Sequence, residues 1–163
     1  MCFHDRELTM QRNLIIDNYT NYLSNLPLYK LPRGMLLYRL VLLEEPIFPN
    51  GCWYSFNSKS ALAYNGFGGE FVSKESSSFY LYEFKTGKAL DMVQFTGGHI
   101  MKFSSFYTSY PNHEQINNDL IAALKKCSAL LDGVFFIKDI NNDIEVFLSN
   151  PEECLEVVSV SKV

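Results

Sequence analysis

Three polar residues stand inside stretches that otherwise have the composition of buried strands. Arg39 ends the apolar run Met-Leu-Leu-Tyr, Ser55 follows an aromatic Trp-Tyr pair, and Glu145 opens a run that continues Val-Phe-Leu. A polar group inside a buried strand loses its hydration and needs a hydrogen-bond partner or a ligand to offset that loss. The three residues are therefore the first candidates for a binding or catalytic site.

Arg39 and Tyr54 have side chains suited to a phosphate and to a flat ring. A guanidinium grips phosphate through two parallel hydrogen bonds, and Arg39 is the one arginine of four that lies inside an apolar strand pattern. An aromatic face such as that of Tyr54 stacks on planar rings. The alternatives are an Arg39 whose stem packs while its head reaches solvent, and aromatic residues that serve the core, as we expect for Trp53 and Phe56.

Asp143 and Glu145 form an acidic pair at the start of a predicted strand. Side chains two residues apart in a strand share one face, so both carboxylates can approach one ligand. The alternative is a solvent-facing acid pair on an edge strand.

A strand Arg, a strand Ser and a strand Glu in this order resemble the Arg-Ser-Glu arrangement of the ADP-ribosyltransferase family, over residues 36–151. The resemblance implies that Arg39 holds NAD and that Ser55 orients Glu145 and contacts the nicotinamide ribose. It also implies that Glu145 stabilises the positive charge that grows as the bond to nicotinamide breaks. Asp143 stands where the family usually has Glu or Gln, and would face the acceptor. The residues after Ser55 depart from the family's Ser-Thr-Ser.

The activity implied by the resemblance is mono-ADP-ribosyl transfer, with NAD as the substrate and a macromolecule or small molecule as the acceptor. One alternative is an NAD glycohydrolase, in which water replaces the acceptor. Another is a non-catalytic structural or interaction protein of related fold, for which the 13 Phe and 10 Tyr supply core and contact area. An enzyme should bring Arg39, Ser55 and Glu145 to one open cleft.

Length and composition predict a single domain over residues 1–163, because 163 residues with 47% hydrophobic content support one core. Within it we expect an N-terminal helical segment, 1–33, and an α+β core, 34–163. A formal charge of −4 argues against general affinity for nucleic acid, which requires clustered Lys and Arg.

The chain is expected to be soluble and cytoplasmic. No apolar run is long enough to cross a bilayer, and acidic residues stand near the N-terminus where a signal peptide is apolar. The four cysteines have no CxxC pair and no histidine at metal-ligand spacing, so free thiols and no metal site are expected.

Hydrophobic periodicity predicts two long helices and one short one. The first runs over 7–26 with Asp5 as its cap, and prolines close that segment. The short helix is expected to have Ser58 as its cap, and the last one starts with a capping box at Asn112 and Gln115 and ends near Gly133.

The strands are predicted at 35–43, 52–57, 79–85, 89–93, 134–137, 144–148 and 155–160, with 79–93 forming a hairpin. This order is typical of an α+β fold with a mixed, largely antiparallel sheet and flanking helices. The Gly- and Ser-rich loop 66–78 and the turn 139–143 are expected to border the cleft and to become ordered when ligand binds.

Overall fold

The structure of the chain is a computed structural model. The structure describes residues 2–63, 79–95, 105–107, 111–127, 130–137 and 144–163. The predicted loop 66–78 and turn 139–143 lie outside these residues, and so does Asp143.

The described residues form helices and strands that alternate irregularly along the chain. The helices are α1 (Phe3–Ser24), α2 (Ser58–Ala63), α3 (His113–Lys126) and α4 (Pro151–Cys154). The strands are β1 (Leu28–Leu31), β2 (Leu36–Leu42), β3 (Cys52–Ser55), β4 (Phe79–Thr86), β5 (Leu90–Phe95), β6 (Gly133–Ile137), β7 (Ile144–Leu148) and β8 (Leu155–Lys162).

The strands form one sheet in the order β1-β5-β6-β7-β3-β2-β4-β8. Neighbouring strands are antiparallel except for β5 and β6, which are parallel. This confirms the predicted fold class, an α+β fold with a mixed, largely antiparallel sheet and flanking helices.

The predicted hairpin over 79–93 is wrong in its pairing, although both of its strands exist. β4 pairs with β2 and β8, while β5 pairs with β1 and β6. Thr86, at the end of β4, joins the two connections: its hydroxyl donates to Pro32 O (2.7 Å) and accepts from Met35 N (3.0 Å). The β4–β5 and β1–β2 connections therefore run side by side, and each carries the chain from one half of the sheet to the other.

The N-terminal helix begins earlier than predicted. It starts at Phe3 without a side-chain cap from Cys2, and Asp5 lies in its first turn, where a carboxylate favours the positive helix end. The segment 1–33 also contains β1, because Leu28–Leu31 between the two prolines pairs with β5. Likewise, Asn57 rather than Ser58 caps α2, through its side-chain oxygen to Ser60 N at 2.7 Å.

Helix α3 starts as predicted and ends earlier. Asn112 Oδ1 accepts a hydrogen bond from Gln115 N at 2.8 Å, which confirms the cap. The helix ends at Lys126, and Gly133 opens β6 instead of closing the helix. Gly133 is required there because an added Cβ would collide with the backbone carbonyl oxygen of Phe147 on β7.

The two faces of the sheet carry separate clusters of buried side chains. On the face that we call the helix face, α1 and α3 cover a cluster of Tyr19, Leu23, Val93, Leu120, Ala123, Leu124, Val134, Phe136 and Phe147. On the other, the inner face, the sheet curls and its two ends share a cluster of Leu31, Leu37, Cys52, Tyr54, Phe84, Leu90, Met92, Phe135, Val146, Leu148, Cys154 and Leu155. Among the described residues, no helix has the length and hydropathy of a membrane span.

Candidate functional site

Ser55 and Glu145 lie directly opposite each other on neighbouring strands. The β3–β7 register pairs Ser55 with Glu145 and Trp53 with Phe147, so all four point to the helix face. Both polar side chains are removed from water, with Ser55 4% and Glu145 2% exposed. The structure therefore brings two of the predicted site residues together in a buried setting.

Tyr38 and Glu83 extend this pair into a row across four strands. Tyr38 is the partner of Ser55 on one side and of Glu83 on the other. Its phenol is hydrogen-bonded to the Glu83 carboxylate, and this bond raises the pKa of Tyr38. Sequence reasoning missed Tyr38 and Glu83 because their relation to Ser55 depends on strand register. We call Glu83, Tyr38, Ser55 and Glu145 the polar row.

Arg39 points away from the polar row. It follows Tyr38 in β2, so its side chain alternates to the inner face. There Nη2 donates to Glu45 Oε2 at 2.9 Å, with 18% of the Arg39 side chain exposed. Its second terminal nitrogen, Nη1, is buried and makes no hydrogen bond to the residues that the structure describes. Arg39 is thus placed on the opposite face from Ser55 and Glu145.

Tyr54 shares the inner face with Arg39. It is 1% exposed and its ring meets that of Phe84 edge-on at 5.4 Å. Burial raises the pKa of the Tyr54 phenol, which lies beside the Cys52 thiol, and the Arg39 charge opposes that shift. Burial also raises the pKa of Cys52, again opposed by Arg39. The inner face therefore groups a guanidinium, a phenol and a neutral thiol.

Strands β2 and β3 are paired over a much shorter stretch than their neighbours in the sheet. Strands β2 and β3 are joined by one residue pair, Tyr38 with Ser55, whereas β2 and β4 are joined by seven, from Leu36–Lys85 to Leu42–Phe79. Arg39 and Tyr54 are the next residues along the two strands and are not paired. Ser55 and Glu145 therefore lie together on the helix face, while Arg39 and Tyr54 lie on the inner face beside the end of the β2–β3 pairing, and the four side chains do not share one face.

Comparison with known proteins gives little beyond the fold class. No protein-family model and no curated protein matches the chain. Among solved structures, the chain is similar to a chain in the crystal structure of the M. tuberculosis MbcT–MbcA toxin–antitoxin complex. The identity is 8%, 91% of each chain is covered, and the TM-score is 0.49. A likeness at this level supports no statement about activity, so the functional evidence is the geometry of this chain's own residues.

Proposed function

We propose that the protein is an NAD-cleaving enzyme of the ADP-ribosyltransferase type, with Glu145 and Ser55 as its catalytic pair. The observation that carries this proposal is their placement side by side, 90 positions apart in sequence and in register on β3 and β7. The Arg-Ser-Glu arrangement requires its Ser to orient its Glu, and adjacent cross-strand side chains can do so.

Glu145 acts on the bond between the ribose and nicotinamide. As that bond breaks, its electron pair leaves with nicotinamide and positive charge grows on the ribose. A carboxylate that is 98% shielded from water stabilises such charge far better than an exposed one. Glu145 also accepts a hydrogen bond from a ribose hydroxyl, and Ser55 fixes the orientation of the carboxylate. A nucleophile of the acceptor then bonds to the ribose carbon, and Asp143 is proposed to face that acceptor.

The dinucleotide is proposed to bind where the β2–β3 pairing ends, with Arg39 and Tyr54 as binding residues. The buried Nη1 of Arg39 would donate to a phosphate oxygen, and Glu45 already holds the other arm of the guanidinium. Ser55 is the last residue of β3, so Tyr54 and Ser55 would contact the ligand around the end of that strand.

A non-catalytic role is the second candidate, and the Arg39–Glu45 pair favours it. The 2.9 Å hydrogen bond to Glu45 gives Arg39 a structural partner on the inner face. The ring of Tyr54 likewise has a structural partner, because it packs against Phe84. In this case the polar row stabilises the sheet and binds no nucleotide.

Incubation with NAD labelled in its adenylate half separates these candidates. Release of nicotinamide with label transferred to a macromolecule or small acceptor supports the transferase. Release with the label remaining in free ADP-ribose indicates a glycohydrolase. Neither release nor binding at millimolar NAD would make the non-catalytic role the better account.

A further inference from the structure

A cleft of about 610 Å³ opens between α1, the N-terminal half of α3 and Tyr107. Its described walls include Gln11 and Arg12 from α1 and Gln115, Asn118 and Asp119 from α3, and none of the polar row. The volume is within the range of small-molecule sites, roughly 300–1,000 Å³. The cleft is therefore a separate candidate for ligand binding.

Asp119 is the buried carboxylate of this cleft. It is 2% exposed, and its Oδ2 accepts a hydrogen bond from the Tyr107 hydroxyl at 2.9 Å. The Tyr107 hydroxyl also lies 3.2 Å from that of the fully buried Tyr19. Burial raises the pKa of Asp119, and the hydrogen bond from Tyr107 and the charge of Arg12 oppose the rise. Two tyrosines thus hold one side of the carboxylate in place.

The other oxygen of Asp119 is only loosely neutralised. Arg12 Nε lies 3.6 Å from Oδ1, beyond hydrogen-bond distance, and 63% of the Arg12 side chain is exposed. Such a pair is screened by solvent and weak. With Glu114 also on the wall, the described lining has two carboxylates for one guanidinium. A cation that enters the cleft could therefore replace Arg12 as the partner of Asp119 Oδ1 at a small cost in free energy.

We propose that this cleft binds a small organic cation, a guanidinium or an alkylammonium, with Asp119 Oδ1 as its counter-ion. The side-chain carbonyls of Gln11, Gln115 and Asn118 supply further acceptors for its N–H groups. The ring of Tyr107 offers a face for an apolar stem or for the cation itself. An anion is disfavoured by the excess of carboxylates, and the Asn112 side chain already occupies the Gln115 N–H at the start of α3.

Titration calorimetry with three probes of similar size tests the proposal. Butylguanidinium is the cation, butylurea its neutral counterpart, and butyrate the anion. Butylguanidinium should bind about tenfold or more tightly than butylurea, as expected for a charge-assisted bond to a buried carboxylate. Equal binding of the two, tighter binding of butyrate, or no binding of butylguanidinium at about 10 mM would overturn the proposal.

Three variants locate the binding. Asp119→Asn keeps the shape and should weaken butylguanidinium about tenfold or more. The matched change Glu114→Gln removes an equal charge from an exposed wall residue and should alter binding much less. Arg12→Gln removes the competing cation and should tighten binding. If Asp119→Asn fails to fold, Arg12→Gln tests the proposal instead. Unchanged or weaker binding of butylguanidinium by Arg12→Gln would contradict the displacement of Arg12 from Asp119. The result is independent of NAD cleavage.

Discussion

The two faces of β2 and β3 bury polar residues in different ways. On the helix face, Ser55 lies against Glu145, and only the long-range register of β3 and β7 puts them together. On the inner face, Arg39 is held by Glu45, six positions away in sequence, on the side of the sheet that carries the cluster around Tyr54 and Phe84. Polar residues that stand in similar apolar strands therefore have different surroundings when they differ by one position, because neighbouring residues of a strand face opposite sides of the sheet.

That shift of one residue is visible at the Tyr38–Ser55 pair. Tyr38 shares a face with Ser55, whereas the neighbouring Arg39 faces the other way, as does Tyr54 beside Ser55. The proposed function requires the residues of the two faces to act together at the β2–β3 junction. Variants on each face distinguish such a joint site from two independent clusters.

The largest expected effect is on NAD cleavage in Glu145→Gln. Gln keeps the shape of Glu145 and removes the charge that stabilises the developing ribose cation, so turnover should fall about 100-fold or more. Nicotinamide release measures it. Glu156→Gln, at an exposed carboxylate of β8 that is 57% exposed, is the matched control and should retain activity. Equal turnover in Glu145→Gln and the parent would remove Glu145 from the mechanism.

The next largest effect is expected on the stability of Gly133→Ala, because this change disturbs the strand pairing that positions Glu145. Gly133→Ala places a Cβ against the Phe147 carbonyl oxygen, in the β6–β7 ladder that also contains the Phe136–Glu145 pair. Separating the strands should reduce the free energy of unfolding by about 2 kcal/mol, typical of overpacking. Urea denaturation measures this. At Gly87 an added Cβ would come no closer than 3.4 Å to a flexible Glu156 oxygen, so Gly87→Ala should be nearly neutral.

Sequence patterns predicted the strands and the types of the site residues better than their arrangement. The apolar runs at 36–42 and 144–148 became β2 and β7, because short buried runs form strands wherever they pair. The pairing of β4 with β2 instead of β5 was missed, because a turn at Gly87 fixes a change of direction and not a partner. Turn residues predict where the chain changes direction, whereas the choice of strand partner and the register depend on the whole sheet.

Asp119 shows the same limit on the helices. Asp119 lies three residues after Ile116 and four before Ala123, beside the apolar face of α3. Because an Asp at such a position is usually solvated, the sequence did not predict its burial. Its burial depends on α1 and Tyr107 meeting it from distant parts of the chain. Asp119 is therefore identified as a candidate binding residue only from the packing of α1 on α3.

A smaller effect separates a binding role of Arg39 from a structural one. Arg39→Lys keeps the charge and loses the two-pronged contact, so NAD should bind about tenfold more weakly while stability changes by less than about 1 kcal/mol. Calorimetry and denaturation measure the two quantities. Glu45→Gln removes the charge but keeps a side-chain oxygen that can accept from Arg39 Nη2, so it should preserve NAD binding. Equal losses of stability in both variants, with NAD binding unchanged, would support two independent clusters.

The smallest effect is a pH dependence on the helix side. Because the folded-state pKa of Asp119 is raised above its ordinary value of 3.8, the fold binds its proton more tightly than the unfolded chain does. The stability linked to this proton is therefore fully present below pH 3.8 and is lost as the pH rises through the raised pKa. Burial raises the pKa of Asp119, while the hydrogen bond from Tyr107 and the charge of Arg12 lower it.

Asp119→Asn removes this titration, so its free energy of unfolding relative to the parent should rise with pH across that window and then level off. On the inner face, Cys52, Tyr54 and Cys154 have raised pKa values, that of Cys154 to about 11, so their protons stay bound in the same window. Urea denaturation from pH 3.5 to 7 in both proteins isolates Asp119. A difference that is constant with pH, or that falls as pH rises, would contradict the raised pKa and the burial of this carboxylate between α1 and α3.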